Sequence, residues 1–72
     1  MNERKTRHIR LNGERREIDK PVPVRVFLDE LGLDRERVAV EVNRRILKRT
    51  DFDAVTIEDG DEVEVVTFVG GG

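Results

Sequence analysis

Only one stretch of this chain repeats its apolar residues at the spacing of a helix. Val24, Phe27, Leu28 and Leu31 stand at i, i+3, i+4 and i+7, one stripe of a helix of about ten residues. On either side of it the apolar residues alternate with polar ones, which is the pattern of half-buried strands. A chain of 72 residues makes one small domain. Such a chain buries only about 60% of its unfolded surface, so its core is thin. There is no cysteine to add a disulfide, a thiolate ligand or a redox couple. The core must come from the aliphatic residues and from Phe27, Phe52 and Phe68.

Taken in order, the pattern places elements at definite positions. Arg7 to Leu11 alternates, with Ile9 and Leu11 on one face and His8 and Arg10 on the other. Asn12-Gly13 follows, a strong hairpin signal because both residues tolerate positive φ, and Glu14 to Ile18 returns as the second strand. Lys20-Pro21-Val22-Pro23 breaks the strand, since proline removes ladder donors. Pro23 suits the first helical turn and Gly32 the position just past the helix end. No Ser, Thr or Asp stands at the expected N-cap, and Val26 falls off the stripe and is expected to be exposed. Asp34 to Arg37 reads as a polar connection. Val38, Val40 and Val42 alternate with Ala39, Glu41 and Asn43 as a third strand. Asn43-Arg44-Arg45 turns the chain, and Ile46-Leu47-Lys48 has the length of a short fourth strand. Thr50 to Ala54 is irregular, with Phe52 expected at the edge of the core. Val55 and Ile57 form a brief extended segment before the Asp59-Gly60 turn. In the last strand, Glu62 to Thr67, Val63 and Val65 point one way and Glu64 and Val66 the other.

This order specifies an α+β domain in which one helix covers one face of a mixed four- to five-stranded sheet. The final strand fits beside the first, in parallel, at the sheet centre. That is the ubiquitin-like β-grasp arrangement, and it assigns residues 1–69 to the domain and 70–72 to a tail. Gly70, Gly71 and Gly72 gain nothing by ordering, because glycine loses the most conformational freedom. Lacking Cβ atoms, they form a thread able to enter a slot too narrow for other residues. A frayed chain end would look the same in isolation. The tail's departure from a central strand favours a functional thread. Alternation also puts Val66 and Phe68 on the outer face with Ala39, away from the helix. Two placements of Phe68 fit this pattern: a docking patch beside the tail, together with Val66 and Val69, or a ring folded back over the sheet edge.

Composition narrows the alternatives. Charged residues are 42% of the chain but nearly cancel, at net −2, against the basic excess of a nucleic-acid binder. The basic cluster Arg44, Arg45, Lys48 and Arg49 has no interleaved aromatics for base stacking. It reads as a hydrophilic hairpin or an ion-pairing patch. Glu58, Asp59, Asp61, Glu62 and Glu64 have no ordered metal-loop spacing and read as a solvated strand edge. His8, the one histidine, cannot build a metal site alone and falls on the outer face beside Arg10. No apolar run approaches the roughly 20 residues of a membrane span, and the charged N-terminus lacks a signal segment. The expectation is a soluble, cytoplasmic protein.

The runs Val38-Ala39-Val40-Glu41-Val42-Asn43, Asp59-Gly60-Asp61-Glu62-Val63-Glu64-Val65-Val66 and Phe68-Val69-Gly70-Gly71-Gly72 resemble the ThiS family, the sulfur carriers of thiamin biosynthesis. Leu11-Asn12-Gly13-Glu14 and Leu31-Gly32-Leu33 fit the same pattern, so the resemblance runs from Ile9 to Gly72. Three positions depart from it. Pro23 stands in place of a capping Thr or Ser, Val26 in place of a polar residue, and Arg44 in place of the glycine that commonly follows the asparagine.

The resemblance implies a protein cosubstrate, with no catalytic residue and no bound cofactor or metal of its own. The Gly72 carboxylate would be adenylated by a ThiF-like adenylyltransferase using ATP and Mg. It would then become a thiocarboxylate with sulfur from a cysteine desulfurase or another persulfide donor. A ThiG-like thiazole synthase would take that sulfur. Gly70 and Gly71 would let the tip reach the adenylation site. From Val69 to Gly72 the extended tail spans about 13 Å at roughly 3.3 Å per residue. A molybdopterin-synthase-type carrier, a ubiquitin-like modifier and a plain interaction domain are the other functions this pattern allows.

Overall fold

The computed structural model describes residues 6–68. Strands β1 (Arg7–Leu11) and β2 (Glu14–Ile18) form an antiparallel hairpin in which Leu11 pairs with Glu14. Between them Asn12 and Gly13 adopt φ of +53° and +84°, the left-handed pair that a type I′ turn requires. A two-residue strand β3 (Val22–Pro23) then leads directly into helix α1 (Val24–Glu30). After a 3₁₀ turn at Arg35–Arg37 come β4 (Val38–Val42) and β5 (Arg45–Ile46). A second 3₁₀ turn at Arg49–Asp51 precedes β6 (Thr56–Ile57) and β7 (Glu62–Thr67). The main sheet has the order β2-β1-β7-β4-β5, and β3 pairs with β6 in a separate two-stranded ribbon. Strand β7 runs parallel to β1 and antiparallel to β4 at the centre, so the expected β-grasp fold is the one formed.

The helix is shorter than its apolar stripe and starts later than Pro23. Pro23 is extended, at φ −62° and ψ 146°, and serves as the N-cap without a side-chain hydrogen bond. The backbone of the 52–55 segment supplies the missing cap. Val24 N–H donates to the Val55 carbonyl and Arg25 N–H to the Phe52 carbonyl, each at 3.0 Å. Two of the otherwise unpaired N–H groups of the first turn are thereby satisfied. At the other end Gly32 takes φ +75°. Its N–H bonds to the Asp29 carbonyl while Leu33 N–H bonds to that of Leu28, a Schellman closure.

Val24, Phe27 and Leu28 are buried, as their stripe requires, against Ile9, Val38, Val40, Val42, Val63 and Val65 from the sheet. Two placements differ from the sequence reading. Val26 is half-buried against the core rather than exposed. The solvent face of the helix is taken by Arg25, Asp29 and Glu30, and Val26 packs from its flank. Phe52 is not at the core edge; it is among the largest fully buried side chains, at 2% exposure. The second 3₁₀ turn puts it there, closed by Lys48 N–H donating to the Asp51 carboxylate and by Asp51 and Phe52 N–H bonding back to Lys48 and Arg49.

Asn12 does more than turn the chain. Strand β1 pairs with β7 only at Arg10–Glu62 and Leu11–Val63. One step further along β7, the Asn12 side chain substitutes for backbone. Its Oδ1 accepts from Val65 N–H at 2.8 Å, and its Nδ2 donates to the Val65 carbonyl at 3.2 Å. The ladder is thus extended beyond the point where β1 has turned away.

The β4–β5 turn is built from Asn43 and Arg44, at φ +52° and +70°. Arg44 therefore holds the left-handed conformation that a glycine would hold, at a cost of about 1–2 kcal/mol for a residue with a Cβ. Arg44→Gly relieves that strain but adds unfolded-state entropy. The expected net gain is about 0.5–1 kcal/mol in a denaturant melt; unchanged or reduced stability would show that the Arg44 side chain makes a compensating contact. Asn12→Gly keeps the positive φ and removes only the two side-chain bonds to Val65. It is expected to lose about 1–2 kcal/mol and to speed amide exchange at Val65; exchange at the wild-type rate would contradict the role given to Asn12.

Candidate functional site

The sheet has one face under the helix and one without a covering element. Alternation sorts β7 cleanly: Val63 and Val65 are buried, whereas Glu62, Glu64 and Val66 are exposed. Register carries the same sorting across the strands. Ala39 pairs with Val66, Glu41 with Glu64, and Ile46 with Glu41, so these five side chains share the uncovered face. Phe68 follows β7, with its N–H held by the Arg37 carbonyl at 2.8 Å. The last described residue is therefore tied to the first turn of β4's approach, beside the strand's end. Phe68 and Val66 are 55% and 58% exposed. Both side chains thus stand more than half open to solvent on the uncovered face.

Ile46, at 73% exposure, joins this patch and was not legible as part of it. The run Asn43-Arg44-Arg45 fits a three-residue turn equally well, which leaves the phase of Ile46 and Leu47 open. The turn actually uses two residues, so Arg45 starts β5, Ile46 faces out and Leu47 falls into the core. Two successive residues at positive φ were the missing signal, and an arginine gives no hint of it.

The remaining candidates serve the fold. Asp59 Oδ1 accepts from His8 N–H, and Asp61 accepts from Glu58 N–H and the Asn43 amide, at 2.8 to 3.0 Å. These carboxylates tie the turn before β7 to β1 and β4, a structural use beyond simple solvation. Among the described residues no three His, Asp or Glu side chains are grouped to hold a metal. His8 lies half-buried on the uncovered face, 2.7 Å from the Arg15 guanidinium and 3.8 Å from Glu17. Arg49 donates to the Arg35 and Glu36 carbonyls, which puts one member of the basic cluster to structural use. An open groove of about 520 Å³ lies where β7 begins, lined by His8, Arg10, Arg15, Asn43 and Asp61. Asn43 and Asp61 are already bonded to each other and to backbone there. No helix among the described residues is long and apolar enough to cross a membrane. Val69, Gly70, Gly71 and Gly72 lie outside the described residues.

The family model that matches this chain is that of the ThiS family, over residues 9–72. Among solved structures, the crystal structure of the thiamine biosynthesis protein ThiS from Geobacter metallireducens is similar at a TM-score of 0.78 and 38% identity. The match covers 90% of this chain and 99% of that one. A thiazole synthase of Paramagnetospirillum magneticum is 42% identical over 86% of this chain, but the chain spans only 19% of that protein's length. The uncharacterized protein ycf40 of Pyropia yezoensis is 42% identical over 89% of this chain and 90% of its own length. With the fold and nearly the whole length matched, the chain belongs to the ThiS family of small sulfur carriers.

Proposed function

We propose that this protein carries sulfur for thiazole formation in thiamin biosynthesis as a thiocarboxylate on Gly72. The observation that carries this reading is the end of β7. The central strand of the sheet is bonded on both sides as far as Val65, by β4 and by Asn12. It hands over at Phe68 to Val69-Gly70-Gly71-Gly72, beside exposed apolar side chains. A tail presented from the most firmly held element suits a partner that must find one terminal group.

The chemistry follows from the group. A carboxylate is a poor electrophile until one oxygen becomes a good leaving group. In this reading a ThiF-like adenylyltransferase, using ATP and Mg, joins the Gly72 carboxylate to AMP and releases pyrophosphate. The outer sulfur of a persulfide, from a cysteine desulfurase or another donor, then displaces AMP to form an acyl disulfide. A second thiol cleaves its S–S bond, leaving the thiocarboxylate on Gly72 and a disulfide on the donor side. A ThiG-like thiazole synthase is the acceptor, and relatives that are thiazole synthases with a matching segment of this size support that pairing. Gly70 and Gly71 give the thread a profile narrow enough for both enzymes. Val66, Phe68 and Val69 dock the carrier on the activating enzyme, because apolar side chains open to water beside a reactive end favour burial in a complex. The protein works in the cytoplasm, where ATP and persulfide donors are both present.

Intact-mass analysis of the protein from its native host is expected to show a fraction heavier by the exchange of one oxygen for sulfur. Deletion of Gly72 removes that fraction. Lysine-linked adducts in its place would favour a protein modifier, and co-purification with a molybdopterin synthase would redirect the sulfur. Phe68→Ala is expected to lower adenylation with the melting temperature unchanged; a large melting loss with normal adenylation would return Phe68 to a structural role.

A further inference from the structure

On the uncovered face, Glu41 and Glu64 sit directly opposite each other on antiparallel strands. Like charges in that position repel and cost stability. Elsewhere on the face Arg10 lies beside Glu62 in the β1–β7 register and opposite Arg15 in the β1–β2 register, so the cationic pair stands two strands away from the acidic one. Among the described residues neither Glu41 nor Glu64 has a cationic group within ion-pairing distance. The pair does not stand in isolation. With Ala39, Ile46 and Val66 it lines a shallow hollow of about 140 Å³, and Phe68 stands two residues beyond Val66 along the chain.

We propose that Glu41 and Glu64 are the acidic half of a docking site for the tail-activating enzyme, which places an arginine or lysine between them while Ile46, Val66 and Phe68 enter its apolar surface. The proposal rests on the carrier reading and adds the charge that recognition must have. Charge complementarity argues for the occupant. Two adjacent carboxylates beside apolar side chains match a cation rimmed by apolar surface, and a planar guanidinium can bridge two carboxylates. Position on the strand argues for the same occupant, since Glu64 of the pair and Val66 lie on β7, the strand that leads through Phe68 toward Gly72. Removing water from the hollow strengthens the attraction, so the pair gains most in the complex and costs most in the free carrier.

The test is steady-state adenylation by the host's own ThiF-like adenylyltransferase with ATP and Mg, using the full-length carrier and E41Q/E64Q. The double variant is expected to raise KM for the carrier about tenfold with kcat nearly unchanged. Its melting temperature is expected to equal or exceed that of wild type, because the repulsion is gone. Wild-type KM is expected to climb with added KCl and the variant's to climb far less. An unchanged KM overturns the proposal, as does a raised KM accompanied by a lower melting temperature, which would mark a folding defect. A wild-type carrier that is never adenylated defeats the carrier reading and the proposal with it. Normal adenylation of both proteins defeats the proposal alone.

Discussion

Strand β7 is hydrogen-bonded in parallel to β1 on one side and antiparallel to β4 on the other, and its inward valines close the core against α1. Each neighbour reaches that position differently. Strand β1 arrives at the start of the chain and must wait for the last element before its inner edge is paired. Strand β4 follows the helix and supplies the longer register, from Val38–Thr67 to Val42–Val63. Such non-local pairing makes the sheet dependent on contacts far apart in sequence. Devices such as the Asn12 side chain, bridging 53 positions to Val65, therefore matter in a domain with so thin a core.

Most of this architecture was legible because two periods do not overlap. The 3.6-residue stripe of Val24, Phe27, Leu28 and Leu31 and the two-residue alternation of Ile9–Leu11, Val38–Val42 and Val63–Val65 each sort one face inward. Turns carrying glycine, Asn12-Gly13 and Asp59-Gly60, were equally clear, and both contain a glycine at positive φ. What escaped was structure specified by backbone partners. Pro23 lacks a capping side chain because carbonyls of Phe52 and Val55 do the capping. Phe52 looked peripheral because the 3₁₀ turn that buries it has no periodic signature. Arg44 concealed a turn of glycine type, and with it the outward phase of Ile46.

The candidate site divides the same way. Val66 and Phe68 follow from alternation along one strand, which the sequence displays. Glu41, Glu64 and Ile46 become neighbours only through register between strands, which a single sequence does not display. Register converts scattered charges into a defined pair, and scattered apolar residues into a patch.

The edges of this sheet explain why a partner would read its face. Strand β5 has two residues, and β2 offers Glu14-Arg15-Arg16-Glu17, all exposed. Short and highly charged edges discourage pairing with a foreign strand. Strand β7 has no free edge along the length bonded to β1, Asn12 and β4. Recognition through added backbone hydrogen bonds is therefore disfavoured along the outer strands of the main sheet. On the uncovered face the carboxylate pair Glu41 and Glu64 stands mid-strand with Ile46 beside it, and Val66 and Phe68 follow toward the end of β7. The blunted edges and the exposed patch thus go together in a sheet whose central strand is paired on both sides and whose outer face is left to side chains.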